Sequence, residues 1–200
     1  MRTVEELQLG YRRLEGAQAC RNIMGLLSHY ISTADVDGIA SLFSSRDDIR
    51  VNYGGRSFSG KNGIRNCFGL FTSPHHGAGP LTVKIYDMDT PLLEVAGDGQ
   101  TAKGCWTSAG HETTPFGLDG GTGRAKWRWA RYAADFILDP DGTWKIWHLL
   151  CHALFITEWN EPWSNHPWPE GPWRPDAAFP LSMPLPPEPY EHFDDTFMYV

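Results

Sequence analysis

No stretch of this chain holds the roughly 20 consecutive apolar residues that a membrane-spanning helix needs, so no membrane partner is expected. Basic charge is scarce as well. Only 17 Lys and Arg stand against 24 Asp and Glu, and a net charge of −7 argues against nucleic acid, which wants a basic face. The opening MRTVEELQLGYRRLEG lacks the apolar core of a signal peptide. Cysteine is sparse: Cys20, Cys67, Cys105 and Cys151 lie far apart, show no C-x-x-C and sit inside apolar patterns. That points to buried free thiols rather than disulfides or a metal site, and a reducing, cytoplasmic setting fits. There is no H-x-H and no H-E-x-x-H, so no metal is expected. The glycine-rich GLDGGTGR is not followed by Lys-Ser/Thr and has no strand–helix context, so it reads as a turn rather than a phosphate loop.

What is present is a dense apolar and aromatic pattern centred on Gly142 to Thr157, GTWKIWHLLCHALFIT. Its apolar residues fall on both parities, which for a strand means burial on both faces. The even face also carries His148 and His152, about 13 Å apart at strand rise, and a buried imidazole needs a partner or a job. This strand is expected to floor a small-molecule pocket. Ahead of it, residues 4 to 33 read as helical, with a stripe at Leu7, Tyr11 and Leu14 and a stronger one at Ile23, Leu26, Leu27, Tyr30 and Ile31. Gly10, Gly16 and Gly25 weaken the segment and leave room for a break near Gly16. Asp35 or Asp37 can cap a short helix, VDGIASLF. DIRVNY and RSFSG form a hairpin about Gly54-Gly55, and Gly60 to Phe71 is a third helix. LTVKIYD, with Leu81, Val83 and Ile85 on one face, then PLLEVAGDGQTAKGCWTS and KWRWARYAADFILD continue as strands. Helices first and antiparallel strands after is an α+β plan, with helices on one face of a curved sheet. Residues 1–157 make this body.

From Glu158 to residue 200 the composition changes: ten of the fifteen prolines lie there, with Trp159, Trp163, Trp168 and Trp173. Proline at that density excludes helix and central strand, and a disordered linker does not usually carry four tryptophans. The extension is expected to pack on the sheet's outer face or on a second subunit. An apolar second face on the floor strand likewise suggests a homodimer or homotrimer.

The ordered set of a long helix, a short capped helix, a strand, a helix opening G-x-x-x-I-R (Gly60, Ile64, Arg65), then PLLEVAGDGQTAKGCW and DGTWKIWHL resembles the SnoaL-like branch of the nuclear transport factor 2-like superfamily over residues 4 to 156. The resemblance implies an α+β cone with a pocket between helices and a concave sheet. It also implies cofactor-free general acid–base chemistry on a small apolar cyclic or aromatic substrate, as in the family's dehydratases, dehydrochlorinases, cyclases and isomerases. A lyase or isomerase is therefore expected, dehydration first. The same fold also serves non-catalytic ligand-binding or assembly modules.

Several family lyases place an aromatic or basic residue and an aspartate at the spacing of Tyr30 and Asp35, the aspartate orienting a catalytic histidine. Two readings stay open for Asp35, that role and a plain helix cap, with Tyr30 as a hydrogen-bond donor or a core residue. The family base lies near the P-x-x-E-V unit, where this chain has Tyr86 and Asp87 and no histidine. His75 and His76 on the preceding loop are the alternative candidates, against an ordinary solvated loop. His148 stands where the family often has an arginine, and it is read either as a catalytic group or as a structural residue bonded to backbone or to Asp135. Tyr53, Tyr86, Trp106, Trp129 and His152 are the expected ligand contacts. An Asp35 beyond hydrogen-bonding reach of any His or Tyr favours binding over catalysis.

Overall fold

Thr3 opens the computed structural model, which describes residues 3–53, 56–72, 83–113 and 124–165. Its hydroxyl accepts from the Glu6 N–H at 3.1 Å, and the Glu6 carboxylate accepts from the Thr3 N–H at 2.8 Å. This reciprocal cap satisfies two of the donors that a helix start leaves open. Helix α1 then runs unbroken over Val4–Thr33 and stops at Ala34, which adopts the left-handed conformation at φ 59°. Gly16 does not break it. A Cβ there would stand 2.7 Å from Cζ2 of Trp144, so the helix lies tight against the sheet at Gly16, whereas Gly10 and Gly25 face open space. The stripe of Ile23, Leu27 and Ile31 is buried with Cys20 and Met24, while Leu7, Tyr11, Leu14 and Leu26 are exposed.

Helix α2, Val36–Ser41, is capped by Asp35, whose Oδ1 accepts from the Gly38 N–H at 2.8 Å. Strands β1 (Arg50–Tyr53) and β2 (Arg56–Ser59) lead into helix α3, Gly60–Thr72. The remaining elements are β3 (Lys84–Tyr86), β4 (Asp89–Val95), β5 (Thr101–Thr113), β6 (Ala125–Leu138), β7 (Trp144–Glu158) and a 3₁₀ turn at Trp163–Asn165. The strands join one sheet in the order β2-β1-β7-β6-β5-β3, with β4 also paired to β5. Only the β1–β7 pair is parallel among these pairings. The helices pack on one face, making the expected α+β arrangement. None of the described helices is long and apolar enough to cross a membrane.

Directly paired residues share a face, so the register assigns every side chain. Between β5 and β6 it is continuous from Thr101↔Ile137 to Thr113↔Ala125. Ala102, Trp106, Tyr132, Ala134 and Phe136 join the helix-facing core with Cys20, Met24 and Leu27. The odd-numbered residues of both strands, among them Lys103, Trp127, Trp129, Arg131 and Asp135, therefore point to the helix-free face. Along β7 the register with β6 slips twice, leaving Trp147 and Leu154 as extra residues. Each bulge reverses parity. Ile146 faces the helices on an even number, Leu149 and Cys151 do so on odd numbers, and Phe155 pairs with Trp129 on the opposite face. The mixed parity of this strand's apolar residues thus comes partly from its bulges. On β3 the expected stripe is reversed: Val83 and Ile85 are exposed and Tyr86 points to the core. Leu81 lies outside the described residues.

The glycines of α1 give a paired test. Gly25→Ala should stabilise the protein by about 1 kcal/mol in denaturant melts, the helix-propensity gain at an open site. Gly16→Ala should destabilise it by about 1–3 kcal/mol, because the methyl must displace Trp144 from the sheet.

Candidate functional site

The helix-facing side of β6 reads Arg128, Ala130, Tyr132, Ala134, Phe136, so two small buried alanines alternate with three large side chains. Tyr53 of β1 and Tyr86 of β3 reach the same region. The Tyr53 and Tyr132 hydroxyls are 3.3 Å apart, and Phe68 of α3 packs edge-on against Tyr53 at 6.0 Å. The Tyr86 hydroxyl donates to Oε2 of Glu112 at 2.5 Å. Its ring lies so close to β5 that a Cβ on Gly110 would stand 2.5 Å from Cδ1, which only glycine tolerates.

Arg128 is the centre of this group. It is 4% exposed. Its guanidinium carbon sits 4.8 Å from the Tyr86 ring centroid and 5.4 Å from that of Tyr53, both at cation–π range. Nη2 donates to the Cys151 Sγ at 2.9 Å. Nη1 has no acceptor, and the buried Ser108 hydroxyl also lacks a partner among the described residues. No carboxylate of the described residues pairs with Arg128. Burial works against its charge, but Cys151 and the three phenols around it hold its pKa well above the ordinary value. Burial pushes the Tyr53, Tyr86 and Tyr132 phenols up, more than the nearby cation pulls them down. The site at neutral pH is therefore one cation ringed by three protonated phenols. Such a set stabilises negative charge developing on a ligand oxygen or leaving group, because the donors are already fixed in a water-poor setting.

The sequence expectations divide around this cluster. Of the expected ligand contacts, Tyr53, Tyr86 and Trp106 lie in the helix-facing core. Trp129 and His152 pair with Phe155 and Arg131 on the helix-free face, so neither lines the helix-side cluster. Tyr30 is half-buried against the core at the end of α1. Asp35 is exposed, and the hydrogen bond its side chain makes goes to the Gly38 N–H. No histidine or tyrosine hydroxyl of the described residues reaches it. His75 and His76 lie outside the described residues. Arg128 is inconspicuous in the sequence because it sits among Trp127, Trp129 and Arg131. The signal was parity: it is the one charged residue in the alternating set 128, 130, 132, 134, 136.

His148 corrects the picture most. It does not face Asp35 across a pocket. It pairs with Asp135 on the helix-free face, where its Nδ1 lies 3.0 Å from Asp135 Oδ2. The Lys103 ammonium donates to Asp135 Oδ1 at 2.8 Å, and all three side chains are buried. Trp147 stacks on the imidazole at 4.5 Å and donates through Nε1 to Asp48 at 2.9 Å. This is the structural alternative, with the carboxylate on the neighbouring strand. His152, half-buried on the same face, has its pKa lowered by burial and by Arg131 and Arg128, so it is neutral at pH 7.

Comparison with known proteins adds three findings. The SnoaL-like domain matches residues 12–149. No curated protein matches the sequence. Solved structures with the same fold include the hexachlorocyclohexane dehydrochlorinase LinA-type3 from Novosphingobium barchaimii. It is 15% identical over 76% of this chain and 96% of its own, at a TM-score of 0.61. A candidate scytalone dehydratase from Novosphingobium aromaticivorans is 12% identical over 74% and 91%, at 0.59. A nuclear transport factor 2-like protein with a cystatin-like fold from the same organism is 17% identical over 76% and 90%, at 0.58. At these identities the likeness is one of fold.

The buried triad separates pairing from function. Asp135→Ala should cost about 3–5 kcal/mol in equilibrium unfolding, since it removes the buried carboxylate that both the Lys103 ammonium and the His148 imidazole meet. The triple replacement Lys103→Met, Asp135→Leu, His148→Phe should recover most of that loss, as apolar substitutes for a complete buried ionic group do.

Proposed function

We propose, from the premise that this chain belongs to the SnoaL-like family, that it is a cofactor-independent lyase or isomerase working between the helices and the sheet. Its substrate is a small apolar cyclic or aromatic molecule carrying an oxygen function, and dehydration is the favoured reaction. The observation that carries this reading is Arg128, a buried guanidinium with no carboxylate partner and a free Nη1 donor among the described residues. An unpaired buried cation costs several kcal/mol, and a developing anion is what would offset that cost. In this reading a base removes a proton beside an electron-withdrawing group. The electron pair moves toward the substrate oxygen or expels a leaving group, and Arg128 with the Tyr53 and Tyr132 phenols receives the charge. His75 and His76 are the proposed bases. His148 is left out because it is held on the far face by Asp135.

A second reading, a ligand-binding module without catalysis, draws on the exposed, capping Asp35. The two separate on variants. Asn caps as well as Asp, so Asp35→Asn should leave stability nearly unchanged. If Asp35→Asn and Tyr30→Phe also leave turnover unchanged, both are structural, and charge stabilisation rests on Arg128.

The direct test of the reading uses 4-nitrophenol, a flat ring whose ionisation is visible by absorbance. Bound to the native protein it should ionise at a lower pH than in solution, and Arg128→Met should remove that shift. Identical ionisation in the native and R128M proteins would overturn the reading. Once mass spectrometry of co-purifying small molecules identifies a substrate, Arg128→Met should lower kcat by about 10²–10³-fold, as expected for loss of one preorganised charge-stabilising donor.

A further inference from the structure

The helix-free face carries a concavity that the proposed chemistry does not use. Trp127 and Trp129 of β6, Phe155 and Thr157 of β7, Glu161 and Trp163 line a groove of about 610 Å³. Its rings form a nearly parallel series. Trp127 stacks on Trp159 at 4.4 Å and 3°, Trp129 on Phe155 at 6.2 Å and 22°, and Phe155 on Trp163 at 5.7 Å and 25°. Trp129, Trp159 and Trp163 are 38%, 58% and 63% exposed, and exposed aromatic surface gathered in one place marks an interaction site. The indole N–H groups of Trp127, Trp129 and Trp163 have no acceptor among the described residues.

Aromatic plates with outward N–H donors suit a polyproline II segment. That helix turns every three residues, makes no internal hydrogen bonds and so offers its carbonyls, and binds aromatic grooves with little entropy left to lose. The chain supplies such a segment. It passes through the groove at Trp163 and continues for 37 residues that hold nine prolines, including Pro184-Leu185-Pro186-Pro187-Glu188-Pro189. Two P-x-x-P repeats are interleaved there, 184/187 and 186/189. The 18 residues between Asn165 and Pro184 could span up to roughly 56 Å at about 3.1 Å each, ample for the chain to turn back on itself. Attachment to the same chain makes binding intramolecular and raises the segment's effective concentration.

We propose that this groove is a polyproline-binding site and that its occupant is the Pro184–Pro189 segment of the same chain. The extension thereby covers the aromatic part of the helix-free face.

The test uses the full chain and a synthetic peptide of residues 182–191. In native protein the tethered segment competes, so the peptide should bind weakly. In the full chain carrying Pro184→Ala, Pro186→Ala and Pro187→Ala, the groove is vacated and the peptide should bind at least tenfold more tightly. Adding Trp163→Ala, an exposed position where misfolding is not expected, should abolish that gain, and Phe155→Ala should do the same through a different plate. Equal affinity for the native and triple-alanine chains, or binding indifferent to Trp163 and Phe155, would overturn the proposal. So would a change in solution mass caused by the proline substitutions, since the segment would then be serving a neighbouring copy.

Discussion

A strand inside a sheet must send each side chain to one of two faces, and in β7 two extra residues decide which. Trp147 and Leu154 interrupt the pairing with β6 and reverse the alternation at each point. Between the bulges, Leu149 and Cys151 meet the helices while His148, Leu150 and His152 turn away. Beyond the second bulge Phe155 and Thr157 come to the helix-free face, beside Trp129 and Trp127. The continuous β5–β6 register transmits that assignment across the sheet. This sorting sets the cationic cluster on one side of the sheet and the aromatic groove on the other.

The sorting also separates two kinds of buried charge. On the helix-free face the Lys103 ammonium and the His148 imidazole share one carboxylate, Asp135. That group is internally compensated and holds β5, β6 and β7 together laterally. On the helix face Arg128 meets only π-faces, a thiol and phenols among the described residues. These partners orient the guanidinium and leave its charge uncancelled. The contrast is why the proposed charge-stabilising role goes to Arg128, and why the proposal leaves out His148, with the more suggestive side chain.

Much of this was legible in the residues. Capping signals and apolar spacing located α1, the short α2 and α3 within a few residues, and Asp35 as a helix cap was one of two readings the local sequence allowed. The strands followed from β-branched and aromatic runs bounded by Gly, Asp and Pro. Inward placement of Tyr53 and Trp106 was legible because no bulge interrupts β1 or β5 near them. What was hidden depended on pairing. LTVKIYD looks like a strand burying Leu81, Val83 and Ile85, yet as an edge strand on β5 it turns Tyr86 inward instead. Trp129 and His152 were assigned to a pocket from residue type alone, which carries no information about face.

The sequence by itself therefore determined the inventory of elements, their order and the α+β class, because helix periodicity, capping and turn chemistry act over a few neighbouring residues. Only the tertiary structure decided which face each strand residue occupies, that Asp135 rather than Asp35 holds a histidine, and that Arg128 meets no carboxylate among the described residues. Those outcomes rest on register between strands many residues apart, and a single bulge, invisible to local pattern, inverts them.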